Sequence, residues 1–589
     1  MMKRFSLTIS IFFVFSLYIL AQIADIPLNA QEDNIFYHTV EPGQTVYGIS
    51  IMYQVDEEDI YSLNPSSREL IKVGEVLKIP QKKSFNPSVE DDIYVFHTIR
   101  PGETLYGVSK TYKITPEQLS KANLGLTPQT FAAGKTIRVP AIQSPAVPVI
   151  EKKMMTKEIE YVVKRGDSMF SLTRNFNVTG EKLIELNPAL KNGLKTRMVL
   201  KIPVQTEETI VVNPEHNEFD FNTFMAYRNR TVKVDVIRIA VLLPFSVSRL
   251  SPSRTEFYEG LLMAVENMQH YGATIELITF DIGEGIQKTR DILQSDQIHN
   301  CQLIIGGETN EQIELIAYYA MRNEVNYVTP FSSTCDQLTS RNARMFQMNI
   351  SAQYLYNYVS AWSCSLFSQY KIIFVNTNDS KEDKMQFVKA FKADLSLRLI
   401  PFKEINYNAG TFSNDVSGLL SSTQPNLIVP LSSSLETLNK IRGPLRALAE
   451  SKPSAKITLF GYPEWQKYSS DCLGDFYALD THIYASFFAN NLSPEVRQFY
   501  ANYKFWFNKT MIPAAYPKYA MLGYDTGMFF ITAIQTFGAN FENNIHQVNY
   551  KSLEYGFRFE RVNNWGGFIN TNLYMVNYKK DFTITRIER

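Results

Sequence analysis

The chain has 589 residues, 59 Lys plus Arg against 59 Asp plus Glu, and a formal net charge of zero. That balance leaves no basic field to meet a phosphate backbone, so no nucleic-acid partner is expected. Hydrophobic content of 45% and aromatic content of 13% fit folded material, and the length demands more than one core.

Residues 1–30 read as a cleaved export signal. Lys3 and Arg4 precede an apolar stretch from Ile9 to Leu20 that is short for a membrane span, and Leu28-Asn29-Ala30 places a small residue before Gln31. An uncleaved anchor is the alternative. No Cys follows the stretch, so a soluble periplasmic product without a lipid-anchored end is expected.

Residues 35–81, 94–141 and 159–204 then repeat one pattern. Each opens on an extended run such as Ile35–Val40, turns at Pro-Gly or Arg-Gly, and reaches Thr45, Thr104 or Ser168, placed to cap a helix. Apolar residues follow at helical spacing: Val46, Ile49 and Tyr53; Leu105, Val108 and Tyr112; Met169, Leu172 and Phe176. A second short helix ends near Asn64, Asn123 or Asn187, and a strand closes on Pro80, Pro140 or Pro203. From Gly43, Gly102 and Gly166 to those prolines the spacing is 37, 38 and 37 residues. Near-equal units sharing start and stop signals are tandem strand–helix–helix–strand modules.

The Gly-x-Thr-[Val/Leu]-Tyr-Gly-[Ile/Val]-Ser stretch of the first two units resembles the LysM module; the third keeps the frame with Met169-Phe170-Ser171-Leu172. LysM modules bind N-acetylglucosamine polymers, in bacteria chiefly peptidoglycan, in a shallow groove between the loop after the first strand and the loop before the last. The resemblance implies glycan-facing first loops at Gly43, Gln44, Thr45 and Val46; Gly102, Glu103, Thr104 and Leu105; and Gly166, Asp167, Ser168 and Met169. The second loops are Ser66–Val73, Gly125–Ala133 and Ala189–Lys195. Glycine permits close backbone approach, and backbone amides can meet an N-acetyl carbonyl. Thr45, Thr104 and Ser168 are expected to cap with their hydroxyls and to meet ligand through their backbone. Three weak modules on a repetitive polymer gain avidity.

The joins Gln81–Asp92, Ala141–Lys157 and residues 205–233 are polar, charged or Pro-rich, and read as linkers. His216, Glu218 and Asp220 fall in the last of these and read as solvated linker, so no metal site is assigned.

Residues 234–589 alternate strands and helices. Strands are expected at Ile237–Leu243, Thr274–Phe280, Leu303–Ile305, Tyr327–Thr329, Lys371–Val375, Leu427–Val429 and Lys456–Phe460. Helices are expected at Glu256–Met268, Thr289–Ser295, Asn310–Met321, Ala352–Phe367, Lys384–Leu395, Leu435–Glu450, Glu495–Phe507 and Tyr519–Thr536. Such alternation predicts doubly wound parallel sheets, in two lobes given the length. The whole chain is then α/β and α+β multidomain, with three small βααβ modules before a two-lobed doubly wound α/β body. Trp565–Asn570, with Tyr574 and Tyr578 beyond, reads as a closing turn and strand, with an aromatic sugar platform as the alternative.

The order of Ile239–Phe245, Phe257-Tyr258-Glu259-Gly260, Ile305–Asn310 and Thr329–Thr334 resembles type 1 periplasmic binding proteins of the branched-chain amino-acid receptor type. It implies that Thr309, Asn310, Ser332, Ser333 and Thr334 hold a ligand carboxylate, and that Glu464 meets its ammonium, since a buried carboxylate needs a cation. Two departures stand out: the Ser/Thr loop is one residue longer, and Leu431–Ser434 replaces a Gly-Tyr element. Ser432–Ser434 also fits a helix cap before Leu435.

Cys301, Cys335, Cys364 and Cys472 form no Cys-x-x-Cys pair, which removes the usual metal and redox patterns. Either a Cys301–Cys335 bond or buried thiols is expected. No hydrolase elbow, zinc-protease pair or phosphate loop occurs, nothing marks Cys472 and His482 as activated, and no cofactor is expected. The combined reading is an exported, noncatalytic peptidoglycan-binding protein whose modules tether a sensor or scaffold body that meets a wall-synthesis protein. The alternative is a wall-anchored receptor of an ABC-type transport system that takes an amino-acid-like ligand or a small peptide.

Overall fold

In the computed structural model, residues 35–41, 44–80, 94–127, 129–140, 149–176, 178–212, 231–381, 383–513 and 515–589 are described. The expected signal, Gly43, and the His216, Glu218 and Asp220 group lie outside them.

Each module is one antiparallel strand pair covered by two short helices. In module 1, β1 (Ile35–Thr39) pairs with β2 (Val76–Pro80) below helices Val46–Tyr53 and Glu57–Leu63. Module 2 repeats this with β3 (Tyr94–Thr98), β4 (Thr136–Pro140) and helices Leu105–Thr111 and Pro116–Ala122. The recurring asparagine explains how so small a unit closes. The Asn64 amide donates to Ile60 O and Lys78 O, both at 2.8 Å, and its oxygen accepts from Lys78 N at 2.9 Å. Asn123 and Asn187 make the same three bonds, so each clamps the second helix to the closing strand. Buried polar groups persist only when satisfied, and this side chain satisfies three at once.

Module 3 departs from the expected boundaries. β5 (Val149–Val162) and β6 (Val199–Val212) run antiparallel over 14 residues each, from Val162↔Val199 to Val149↔Val212. The ladder therefore occupies part of both segments read as linkers. The β-branched residues Val149, Ile150, Thr209, Ile210, Val211 and Val212 favour extended backbone.

The remainder holds two seven-stranded sheets. In lobe one, β7 (Ile237–Leu243), β8 (Ile275–Asp281), β9 (Leu303–Gly306), β10 (Asn326–Thr329) and β11 (Met345–Gln347) are parallel. In lobe two, β12 (Lys371–Asn376), β13 (Phe402–Asn406), β14 (Asn426–Pro430), β15 (Ile457–Gly461) and β16 (Thr481–Ala485) are parallel. The chain then returns: β17 (Phe559–Arg561) and β18 (Phe568–Asn570) extend the first sheet, and β19 (Tyr574–Tyr578) and β20 (Ile584–Glu588) extend the second. The lobes are joined by three crossings, after β11, β16 and β18. Helices cover both sheet faces, and for this reason the central strands are continuous runs of buried Val, Ile and Leu. All four cysteines are buried free thiols, so the Cys301–Cys335 bond does not form.

Helix Tyr519–Phe537 crosses helix Ser251–His270 at backbone contact, made possible by glycine on each. A Cβ at Gly260 would lie 1.8 Å from Ala520 O, and one at Gly523 would lie 1.9 Å from Phe257 O. Gly260→Ala must separate the helices and is expected to cost lobe one about 1–3 kcal/mol. A lowered urea midpoint for the lobe-one transition checks this; an unchanged midpoint contradicts the close crossing.

Candidate functional site

The first loop of each module is built on one device with varied chemistry. The Gln44 oxygen accepts from Glu41 N at 2.9 Å and from His38 Nε2 at 2.7 Å, while His38 Nδ1 lies 2.8 Å from the Tyr53 hydroxyl. Glu103 repeats this with Arg100 N, His97 and Tyr112. In module 3, Asp167 accepts from Lys164 N at 2.7 Å and from the Tyr161 hydroxyl at 3.0 Å. Burial pushes the His38 pKa down, so the ring is a neutral strut donating from Nε2.

The remaining first-loop side chains are likewise engaged. Thr45 and Thr104 accept from Gly48 N and Gly107 N, and Ser168 exchanges bonds with Ser171. Val46 and Leu105 are buried in their module cores, and Met169 packs against the third core. The side chains of Val46, Leu105 and Met169 thus serve the module cores. Gly102 and Gly166 adopt φ of +84° and +102° with open space where a Cβ would stand. What the loops offer a ligand is backbone.

Modules 1 and 2 do not stand free. The Trp565 ring, 3% exposed, joins the module 1 core with Val40, Val46, Ile49, Met52 and Tyr53. It lies 5.4 Å from Phe96 of module 2, so it is a wedge between modules and not the exposed sugar platform. Beside it, Asn564 accepts from Gly125 N at 2.6 Å and donates to Thr136 O at 2.9 Å. Tyr47 of module 1 donates to Asp336 of lobe one at 3.0 Å. Module 2 thus meets lobe one through its second loop, and module 1 through its first helix. The described loop hydrogen bonds of module 3 are internal to it.

In the lobes, the structure brings together both expected lobe-one loops. Thr309 caps helix Asn310–Arg322 through Gln312, Asn310 accepts from the Thr334 hydroxyl at 3.3 Å, and the Ser332 hydroxyl accepts from Thr334 N at 3.2 Å. Ser333 is exposed. Sequence reading missed Arg254, which reaches Glu308 with two bonds at 2.8 and 2.7 Å and stacks 3.7 Å over Phe331. The signal was Glu308 itself, a half-buried carboxylate that favours a cation partner.

Glu464 is the clearest correction. Its carboxylate is paired with Lys384 Nζ at 2.7 Å, so this chain supplies the cation that the resemblance assigned to a ligand. Burial opposes the Lys384 charge, but Glu464 outweighs it and raises the pKa above the ordinary lysine value. The Leu431–Ser434 element is pinned by Asp379 and Asp383: Ser432 Oγ lies 2.9 Å from both, and Ser433 N donates to Asp383 at 3.0 Å. Burial works against ionised Asp379, yet Ser434, the Lys381 amide, Ser432 and Thr437 hold it at about 2. Ser434 also caps helix Leu435–Ser451. The cleft loops of both lobes are knit by their own side chains.

Two expectations follow. Trp565→Ala empties the wedge position, and in the full chain modules 1 and 2 should part from lobe one; a larger radius of gyration in small-angle scattering checks this, and an unchanged one refutes the wedge. Lys384→Met should destabilise lobe two by about 1 kcal/mol, discounted because Glu464 is half exposed. Adding Glu464→Gln should recover part of that loss in a double-mutant cycle, whereas strict additivity would show the pair to be uncoupled.

Residues 38–80, 97–140 and 161–203 match the LysM domain family. Over 166 residues the chain is 25% identical to N-acetylmuramoyl-L-alanine amidase sle1 of Staphylococcus epidermidis, covering 28% of this chain and 50% of that one. Over 164 residues it is 28% identical to the probable peptidoglycan endopeptidase LytE of Bacillus subtilis, covering 28% and 49%. The chain spans about half the length of the curated relatives it matches. Among solved structures it is similar to an ABC transporter substrate-binding protein from Desulfitobacterium hafniense, with TM-score 0.36, 16% identity and coverage of 60% of this chain and 100% of that one. It is also similar to a putative branched-chain amino acid ABC transporter from Rhodospirillum rubrum, with TM-score 0.43, 12% identity and coverage of 60% and 100%. The three strand–helix–helix–strand units that open this chain are LysM domains.

Proposed function

We propose that this chain is an exported, noncatalytic envelope protein that grips peptidoglycan or a related N-acetylglucosamine polymer and stations a two-lobed sensor or scaffold body at the wall. The threefold LysM repeat carries the reading. Its loops spend their side chains on their own turns, which suits a ligand met through backbone amides along a repeating polymer. Linked modules multiply weak contacts by roughly 10²–10⁴ when they engage together.

The two-lobed body acts in this reading through a protein or wall-fragment contact, not as a carrier of free amino acids. Lys384 on Glu464 and Arg254 on Glu308 support that choice, because the charges that an amino-acid zwitterion would satisfy are already paired. The hydrolytic relatives match over 28% of this chain, and their activities are not carried across.

Full-length protein should pellet with purified sacculi, residues 231–589 should stay in the supernatant, and no soluble sugar should be released. Equal pelleting of the C-terminal part would sink the tether, and release of soluble sugar would show an enzyme.

A further inference from the structure

The wedge at Trp565 leaves a pocket of about 390 Å³ where three bodies meet. Module 1 contributes Glu41 and Gln44 of its first loop, module 2 contributes Thr127 and Thr130 of its second, and lobe one contributes Asn543 and Asn564. The groove implied by the LysM resemblance lies within one module. This pocket instead takes half a groove from each of two modules and closes it with a wall from lobe one.

Its chemistry is polar, and both carboxylates on its wall are paired. Glu41 pairs across the modules with Lys135 at 2.6 Å, and Glu542 pairs with Arg344 at 2.5 Å. Arg561 donates to Gly566 O at 2.6 Å and lies 4.1 Å over the Phe568 ring. A phosphate or a free carboxylate would find Lys135 and Arg344 already paired with carboxylates. Thr127, Thr130 and Asn564 line the wall while bonded within it, Thr130 Oγ1 to Gly125 O and the Asn564 amide to Thr136 O, each at 2.9 Å, above buried Trp565, Phe559 and Phe568. Asn543 lines the same space, half-buried, and its side-chain amide carries both a donor and an acceptor. The volume falls in the range of small-molecule sites, about 300–1,000 Å³.

We propose that this junction is a composite binding site for a short, uncharged amino-sugar glycan, the size of a linked N-acetylglucosamine pair. The proposal rests on the glycan-binding reading and deepens it. Because the pocket exists only while modules 1 and 2 sit on lobe one, its ligand stabilises that docked arrangement by mass action. Glycan occupancy is thereby communicated to the two-lobed body, and release of the ligand favours undocking.

The test is titration of the full chain with β-1,4-linked N-acetylglucosamine dimer by calorimetry, with hydrogen exchange followed over residues 540–568. The dimer should bind and slow exchange in that segment. Asn543→Trp, which fills the pocket, should abolish binding. Asn543→Ala, which removes only the amide, should weaken it about 10-fold, as loss of a bond worth roughly 1.4 kcal/mol would. Trp565→Ala should abolish the exchange protection. Wild-type protein that pellets with sacculi but binds no dimer, or dimer binding unchanged in both Asn543 variants, overturns the composite site. Wild-type protein that neither pellets nor binds dimer overturns the glycan-binding reading together with it.

Discussion

The arrangement of this molecule depends on burial of one indole. Trp565 sits on the turn between β17 and β18, the last strands added to the lobe-one sheet, and its ring completes the core of module 1, near the other end of the chain. A tryptophan buries about 150–250 Å², worth roughly 4–6 kcal/mol at about 25 cal/mol per Å². Covalent attachment holds the modules near lobe one at an effective concentration in the millimolar range, which offsets much of the cost of bringing them together. One aromatic and a few backbone hydrogen bonds are then sufficient to fix the docked state, yet small enough for a ligand to modulate it.

The modules themselves show how a repeat conserves geometry while changing residues. Gln44, Glu103 and Asp167 differ in length and charge, but each accepts from the backbone amide three positions earlier and from an aromatic partner on the opening strand. The asparagine clamp is kept unchanged in all three, because it must donate twice and accept once in a fixed geometry. Side chains thus stabilise the loops from within, and the outer surface of the loops is left to the peptide groups.

Local signals were legible in the sequence and distant pairings were not. The caps at Thr45, Thr104 and Ser168 depend on residues three positions away, and the central strands announce themselves as buried β-branched runs. β13 escaped notice because this edge strand buries no residue fully and sets two exposed residues, Lys403 and Glu404, side by side, and β11 because three residues carry no period. The linker reading of the third module failed where β-branched residues in two polar segments pair with each other across the module. Glu464 does meet a cation, but Lys384 lies 80 residues away, and nothing local reveals that partner. Arg254 and Glu308 were hidden in the same way, 54 positions apart.

The long ribbon under module 3 has a topological consequence. β5 enters that module from module 2, and β6 leaves it toward lobe one. Since module 2 is itself fastened to lobe one at Asn564, the third module hangs in a closed loop secured at both ends. A protease that cuts the connector on either side severs one attachment and leaves the other. Module 3 therefore stays joined to lobe one after a nick that would free a simple beads-on-a-string tail.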